Sequence, residues 1–129
     1  MSRHLELGKK GEEKASEFLR KKGYEILVTN WRSGRAEVDI IAKHKNVVVF
    51  IEVKTRTSYA FGYPEESVSS QKQKLMAKAA GDYLYENKLE NEIRYDIIAV
   101  YSSKDGKWFI KHFEDAFFPN PADDVTNYE

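Results

Sequence analysis

The segment AEVDIIAKHKNVVVFIEVKTR (Ala36–Arg56) has the composition of two β-strands joined by a short polar turn. Its Val, Ile and Phe residues are of the kind that pack on both faces of a sheet. Four charged residues interrupt the apolar runs: Glu37, Asp39, Glu52 and Lys54. A charged side chain inside a sheet needs a compensating partner, so these four positions are the first candidates for a functional site.

The pairing of the two strands decides whether the acids meet. Side chains alternate between the faces of a strand, and a turn centred on His44–Lys45 pairs Asp39 with Phe50. The same turn pairs Glu37 with Glu52. Asp39 and Glu52 then become diagonal neighbours with Cα atoms roughly 7–8 Å apart, close enough for both carboxylates to bind one Mg²⁺. A slip of one residue would place the two acids on opposite faces.

A structural reading of the charges is the main alternative. Charged residues on a strand usually form a solvated face, and Glu52 with Lys54 would then be an ordinary surface ion pair. However, the run NVVVFIEVKT is apolar at consecutive positions up to Ile51, which is typical of a central strand covered on both sides. Carboxylates and an amine at the end of such a strand are costly unless a partner compensates their charge. A divalent cation is one such partner.

A helix is predicted before these strands. Between Leu5 and Lys22 the apolar residues recur at helical spacing, and Gly23 stands where a helix C-terminus favours glycine. The run YEILVTNW that follows has the composition of a strand, and Ser33–Gly34 marks a turn. The first half of the chain is therefore predicted as one helix and three consecutive strands.

A second helix and two more strands are predicted in the second half. The stretch RTSYAFGYPEES has no periodicity and contains glycine and proline, so we expect a loop. Ser70 with Gln73 resembles a capping box, and an apolar stripe of helical spacing follows it. The last two strands are IRYDIIAVY and KWFIKHF. The order α-β-β-β-α-β-β predicts a single α/β domain at residues 1–118 and a flexible tail at 119–129.

Composition narrows the class of protein. With 129 residues, 41% hydrophobic and 13% aromatic, the chain can build one hydrophobic core. It has no cysteine, which excludes disulfides and thiolate metal sites, and no run approaches the roughly 18 apolar residues of a membrane span. The first residues lack the apolar stretch of a secretory signal, so we expect a cytoplasmic protein with no membrane partner. Because 21 basic residues balance 21 acidic ones, a polyanion would have to bind at a local basic patch.

The charged residues carry a family resemblance. Asp39 and, after twelve intervening residues, Glu52–Lys54 resemble the D…(D/E)xK signature of the PD-(D/E)xK nuclease superfamily. Blocks in the same order, namely GKKGEEKASEFLRKKGYEIL, NWR, AEVDIIA, FIEVKTR and RYDIIAVY, make the chain similar to the YraN family, also called UPF0102, from about Leu5 to Phe118. The resemblance implies a restriction-endonuclease-like αβββαβ core, with a mixed central sheet flanked by helices.

The resemblance also implies a chemistry, the metal-dependent hydrolysis of a phosphodiester bond. Asp39, Glu52 and the Val53 carbonyl would bind Mg²⁺ or Mn²⁺. Lys54 would lie beside the attacking water, and because two carboxylates keep it charged, we expect it to stabilise charge on the phosphate rather than to act as a general base. In the related archaeal Holliday-junction resolvases a helix glutamate joins the metal cluster, which gives this role to Glu12. The alternative for Glu12 is an ordinary solvated acid of the GEEK run.

Other residues are weaker candidates. Lys72, Lys74 and Arg56 are candidate nucleic-acid contacts, and only Lys72 matches a lysine of the family. Exposed lysines on a helix are common, so a solvated helix face is the alternative. We expect Glu37 either to bind a second cation or, as we favour, to pair with Arg35 or Lys54. The three histidines lack the spacing of a zinc site and are interpreted as surface residues: His4, His44 and His112.

The leading hypothesis is a Mg²⁺- or Mn²⁺-dependent endonuclease-like enzyme that hydrolyses DNA, with branched or damaged structures as the substrates that the resolvases suggest. One alternative is a nucleic-acid-binding protein that keeps the nuclease fold with little or no catalysis. Another is an interaction protein whose acid cluster is structural. The intact set of Asp39, Glu52 and Lys54 favours the enzyme, because a chain that no longer catalyses is free to lose any of them. Cleavage specificity and oligomeric state, with a homodimer among the options, are left open.

Overall fold

The computed structural model describes residues 3–57 and 68–119. In this part of the chain the order of helices and strands is the predicted one, so the mixed α/β fold is confirmed. The elements are α1 (Arg3–Lys21), β1 (Glu25–Ser33), β2 (Ala36–His44), β3 (Val47–Arg56), α2 (Ser70–Glu86), β4 (Glu92–Ser102) and β5 (Trp108–Phe113). Most of the predicted loop at 56–67, and all of the predicted tail after residue 119, lie outside the described residues.

The strands form one mixed sheet. Their order is β1-β2-β3-β4-β5, and neighbouring strands are antiparallel except for β3 and β4, which are parallel. Helix α2 lies in the connection between β3 and β4, as parallel strands require a crossover long enough to return to the same end of the sheet. The central strands β2, β3 and β4 are therefore flanked on both edges by further strands.

The two helices cover opposite faces of this sheet. Helix α1 packs on β1, β3 and β4, whereas α2 packs on β1 and β2. Consecutive residues of β3 divide between two hydrophobic clusters: Val48 and Phe50 pack on the α2 side, and Val49 and Ile51 pack on the α1 side. The central, doubly covered strand predicted from the apolar run is thus confirmed. No helix in the described ranges is long and apolar enough to cross a membrane.

Helix α1 ends as its sequence predicts. Gly23 has a φ angle of +91°, in the left-handed region that glycine adopts without strain. The Tyr24 N–H donates to the Leu19 carbonyl and the Gly23 N–H donates to the Arg20 carbonyl, each at 3.0 Å. These two bonds satisfy carbonyls at the helix end in the manner of a Schellman motif.

Helix α2 begins differently from the prediction. Its N-cap is Ser69, whose Oγ accepts a hydrogen bond from the Lys72 N–H at 3.1 Å. Ser70 is already the first helical residue, and the Gln73 side chain donates to the Val68 carbonyl at 3.2 Å. The predicted capping box of Ser70 with Gln73 is therefore wrong by one residue, because either of two adjacent serines has the side chain that a cap needs.

The β2–β3 hairpin has a different register from the predicted one. Its turn consists of Lys45 and Asn46, which have φ angles of +48° and +66°. A two-residue turn with both angles positive matches the twist of a hairpin, and asparagine tolerates this region better than most residues. Phe50 consequently pairs with Ile41 instead of Asp39, so the predicted pairing is wrong by two residues. An even shift does not move a side chain to the other face of the strand.

A buried charged cluster near the C-terminal end of α1 was not predicted. Asp96 is 0% exposed and accepts two hydrogen bonds from Arg94, both at 2.9 Å, one from the Asp115 N–H at 3.1 Å and one from His112 at 2.7 Å. Burial raises the pKa of Asp96, but the bonds from His112 and Arg94 outweigh it and hold this pKa below its usual value. The interpretation of His112 as a surface residue is wrong, since its side chain is 3% exposed.

Helix α1 approaches β3 closely at Gly11. A Cβ atom at this position would overlap the hydroxyl of Thr55 and would lie 2.9 Å from the Cβ and Cγ2 atoms of the same residue. Only glycine allows the helix backbone to come this near to the strand. Gly11 therefore sets the position of the next residue, Glu12, relative to β3.

We expect the substitution Gly11→Ala to lower the free energy of unfolding by about 1–3 kcal/mol, because the added methyl group overpacks the contact with Thr55. Urea denaturation measures this change. Gly81→Ala is the matched control: Gly81 lies in α2 with open space around its Cβ position, so alanine should raise stability by about 0.5–1 kcal/mol. A Gly11→Ala protein as stable as the wild type would contradict the close approach of α1.

Candidate functional site

Strands β2 and β3 separate at the end of their hairpin. Their regular pairing stops at Ile40 and Ile51. Beyond this point β3 stays paired with β4 as far as Arg56, and β2 stays paired with β1. Asp39 and Glu52 are the next residues on the two strands, so both stand where the strands part. We call this place, formed by Asp39 with Glu52 and Val53, the fork.

At the fork, the Asp39 carboxylate accepts a backbone hydrogen bond that a carbonyl of the neighbouring strand would accept in a regular ladder. Its Oδ2 atom accepts a hydrogen bond from the Val53 N–H at 2.8 Å. The backbone of β2 is irregular here, because Val38 and Ile41 pack in the same cluster beneath α2 although they are three residues apart. The strict alternation of faces predicted for β2 is therefore wrong at Asp39. The irregularity turns this side chain toward the gap between the strands.

The surroundings of Asp39 disfavour its charge. The pKa of Asp39 is raised to about 7, chiefly by burial and secondly by the negative charge of Glu52. The hydrogen bond from the Val53 N–H acts in the opposite direction without cancelling the rise. Two carboxylates are thus held close together in a poorly solvated place.

Glu52 is the more deeply buried member of the pair, with 6% of its surface exposed. Two ammonium groups approach it: Lys54 Nζ lies 3.4 Å from Oε1, and Lys72 Nζ lies 3.6 Å from Oε2. Within residues 3–57 and 68–119 no group donates a hydrogen bond to Oε2, although this atom is buried. Leaving a buried acceptor without a donor is costly, so Oε2 is an open position for a positively charged ligand.

A cavity of about 370 Å³ opens in front of the fork, between α1 and the ends of β2 and β3. Its lining includes six of the eight predicted site residues: Glu12, Asp39, Glu52, Val53, Lys54 and Arg56. The other two lie on α2, outside this lining. Lys72 nevertheless reaches Glu52 by the ion pair described above, whereas Lys74 forms no ion pair with any described residue.

Glu12 lies on the α1 wall of the cavity. Burial raises the pKa of Glu12, a hydrogen bond with the Asn30 side chain lowers it, and the charges of Glu37 and Glu52 raise it again. Asn30 was not predicted as a site residue. Its φ angle of +52° is of a kind that asparagine tolerates, but a sequence does not show which helix residue such a side chain will meet.

Glu37 is held by a basic neighbour. Its Oε2 atom lies 3.3 Å from the guanidinium of Arg32, on the adjacent strand β1. Of the two roles predicted for Glu37, this geometry supports the structural pair. The partner is Arg32 instead of the predicted Arg35 or Lys54, because Arg32 stands directly opposite Glu37 in the β1–β2 register.

The donor atoms at the fork suit a hard divalent cation. The carboxylates of Asp39 and Glu52 and the carbonyl of Val53 are oxygen ligands, which Mg²⁺ and Mn²⁺ prefer. In the described part of the chain no three His, Cys, Asp or Glu side chains are arranged to hold a metal together. A cation at the fork would therefore depend on two carboxylates, with water completing its coordination, as is usual for Mg²⁺.

The raised pKa of Asp39 gives a prediction for stability. A carboxyl group whose folded-state pKa lies near 7, above an unfolded value of about 4, contributes stability below pH 4 that is lost as the pH rises to 7. Without metal, we expect Asp39→Asn to be more stable than the wild type at pH 8, by on the order of 1–3 kcal/mol, and close to it at pH 4. Urea denaturation in the presence of a chelator measures both values.

The control for this prediction is Glu37→Gln, which changes the same chemical group two residues away but removes the ion pair with Arg32. It should give no gain in stability at pH 8. An Asp39→Asn protein that is no more stable than the wild type at pH 8 would show that Asp39 carries no electrostatic penalty.

Comparison with known proteins confirms the resemblance to the UPF0102 family. Residues 11–100, which contain the fork and Lys72, match the uncharacterised protein family UPF0102. A UPF0102 protein of Flavobacterium psychrophilum is 53% identical over 119 residues, covering 92% of this chain and 98% of the relative. A UPF0102 protein of Christiangramia forsetii is 49% identical over 118 residues, covering 92% of this chain and 98% of the relative. A UPF0102 protein of Chloroherpeton thalassium is 42% identical over 124 residues, covering 95% of this chain and 96% of the relative. The chain belongs to the UPF0102 family.

Proposed function

We propose that this protein is a divalent-cation-dependent endonuclease-like enzyme that hydrolyses phosphodiester bonds in DNA. The observation that carries the proposal is the buried Glu52 Oε2 atom, which has no hydrogen-bond donor among the described residues and stands beside a second carboxylate. Such an arrangement lowers stability unless a ligand completes it. The open cavity in front of the fork gives that ligand, and a phosphate beyond it, a route of access.

The residues of the fork and the neighbouring Lys54 have different roles in the proposed reaction. A Mg²⁺ or Mn²⁺ ion held by Asp39, Glu52 and the Val53 carbonyl would act as a Lewis acid on a phosphoryl oxygen. The Lys54 side chain is 20% exposed and lines the cavity, so its ammonium group can face a bound phosphate. It stabilises the negative charge that develops there as the bond breaks.

A neutral protein needs local positive charge to hold DNA. Lys54 and Arg56, both on β3, line the cavity, and Lys72 reaches Glu52 from α2. Phosphate contacts by such residues position the backbone without reading its sequence. We propose DNA instead of another phosphodiester because the chain resembles the PD-(D/E)xK nucleases. We propose branched or damaged DNA as the substrate because the chain is similar to the archaeal resolvases.

A cleavage assay tests this function. We expect Mn²⁺-dependent cleavage of at least one member of a panel of single-stranded, duplex, flapped and four-way-junction DNA, and no cleavage with a chelator. Asp39→Ala should abolish cleavage and also the binding of Mn²⁺. Lys54→Ala should lower the rate by about 100- to 1000-fold while Mn²⁺ binding is kept, since this residue acts on the phosphate and not on the cation.

The matched control is Asp105→Asn, which alters an exposed carboxylate in the turn between β4 and β5. Its cleavage rate should equal that of the wild type. DNA binding without cleavage of any substrate, in the presence of bound Mn²⁺, would instead identify a binding protein with a nuclease fold.

A further inference from the structure

Lys72 occupies an unexpected place for a residue predicted to contact DNA. It comes from the first turn of α2, yet its ammonium group points to the buried Oε2 atom of Glu52, at 3.6 Å. This is the same oxygen atom that lacks a hydrogen-bond donor among the described residues. The distance is longer than that of a good N–H···O bond, so the charge of Lys72 is near the atom without satisfying it.

The two lysines at Glu52 are held differently. Lys54 lies on β3 itself, and its side chain is 20% exposed. Lys72 reaches over from α2, and its side chain is 34% exposed. Its four-carbon stem is flexible and carries a compact charge at its end. Lys72 can therefore leave Glu52 for the solvent side without any movement of the sheet.

A divalent cation and the ammonium group of Lys72 compete for the charge of Glu52. With Lys72 Nζ only 3.6 Å from Oε2, the two positive charges would repel each other strongly in this buried place, so the binding of one disfavours the presence of the other. We propose that Lys72 is an exchangeable counter-ion of Glu52: it compensates the carboxylate in the metal-free protein, leaves when a divalent cation binds there, and then contacts a phosphate of the DNA. This inference rests on the proposed function and adds a coupling between its two ligands.

The exchange links metal binding to DNA binding. A cation at the fork releases the ammonium group of Lys72, which can then contact DNA. Bound DNA in turn keeps this ammonium group away from Glu52. Because coupling between two ligands is reciprocal, each raises the affinity of the other by the same factor. A metal-free protein then has its lysine engaged internally and binds DNA weakly.

Titration calorimetry of Mn²⁺ without DNA tests the first half of the exchange. Lys72→Ala removes the competing ammonium group, so we expect Mn²⁺ to bind at least about fivefold more tightly than to the wild type. Lys78→Ala is the matched control, since Lys78 lies on the same helix but pairs with Asp82 at 3.0 Å. Its Mn²⁺ affinity should not change. Unchanged or weaker binding by Lys72→Ala would overturn the inference, because Lys72 would then hold Glu52 in place.

A second measurement uses the wild-type protein, so it does not depend on how a variant folds. Acetylation of each lysine by an N-hydroxysuccinimide ester is followed by mass spectrometry with and without Mn²⁺. We expect Lys72 to be modified several times faster once Mn²⁺ is bound, while Lys78 keeps its rate. Equal rates at Lys72 in both conditions would overturn the exchange.

The two proposals fail in different ways. Failure of the wild type to bind Mn²⁺ would remove the proposed function and the exchange together. Mn²⁺ binding with DNA cleavage, but with no change in the reactivity of Lys72, would leave the function standing and overturn the exchange alone.

Discussion

The end of the β2–β3 pairing at Ile40 and Ile51 is the constraint on which the rest of the site depends. Where the ladder stops, the Val53 N–H needs an acceptor, and the Asp39 carboxylate supplies it. This single bond satisfies the backbone and at the same time fixes Asp39 beside Glu52, whether or not a ligand is present. The apolar run of β3 keeps the neighbouring part of the strand buried, and the close approach of α1 completes the cavity wall. The backbone therefore holds these side chains in place in a structure that contains no ligand.

Asp96 and Asp39 are both acids on strands of the sheet, but their surroundings have opposite effects on the pKa of the carboxyl group. Asp96 is fully buried, and donors from Arg94, His112 and the Asp115 backbone keep its pKa low. The pKa of Asp39 is instead raised by burial and by the charge of its neighbouring acid. A carboxylate with all its donors stabilises the fold, whereas a buried acceptor without a donor among the described residues, such as Glu52 Oε2, costs stability that a bound cation would recover. The first cluster is structural, and the second is where we place the chemistry.

The sequence predicts those parts of this account that depend on local pattern. The consecutive apolar residues of β3 indicate its central position, and the charges at Asp39 and Glu52 mark the part of the hairpin that holds the candidate site. The register could not be predicted, because the turn at Lys45–Asn46 contains no glycine to mark it. The burial of His112 depends on an acid 16 residues earlier on the neighbouring strand, and periodicity gives no sign of such a contact. The pairing of Lys72 with Glu52 likewise joins a helix to a sheet, so it follows only from the tertiary fold.

Anomalous diffraction from a crystal of the wild-type protein soaked in Mn²⁺ tests the central claim most directly. The account predicts one strong anomalous peak at the fork, at about 2.1 Å from a carboxylate oxygen of Asp39 and from one of Glu52. It also predicts that Lys72 Nζ no longer lies beside the Glu52 Oε2 atom. A crystal without a peak at the fork, in which Lys72 still contacts Glu52 at millimolar Mn²⁺, would contradict the claim that these two acids form a cation site.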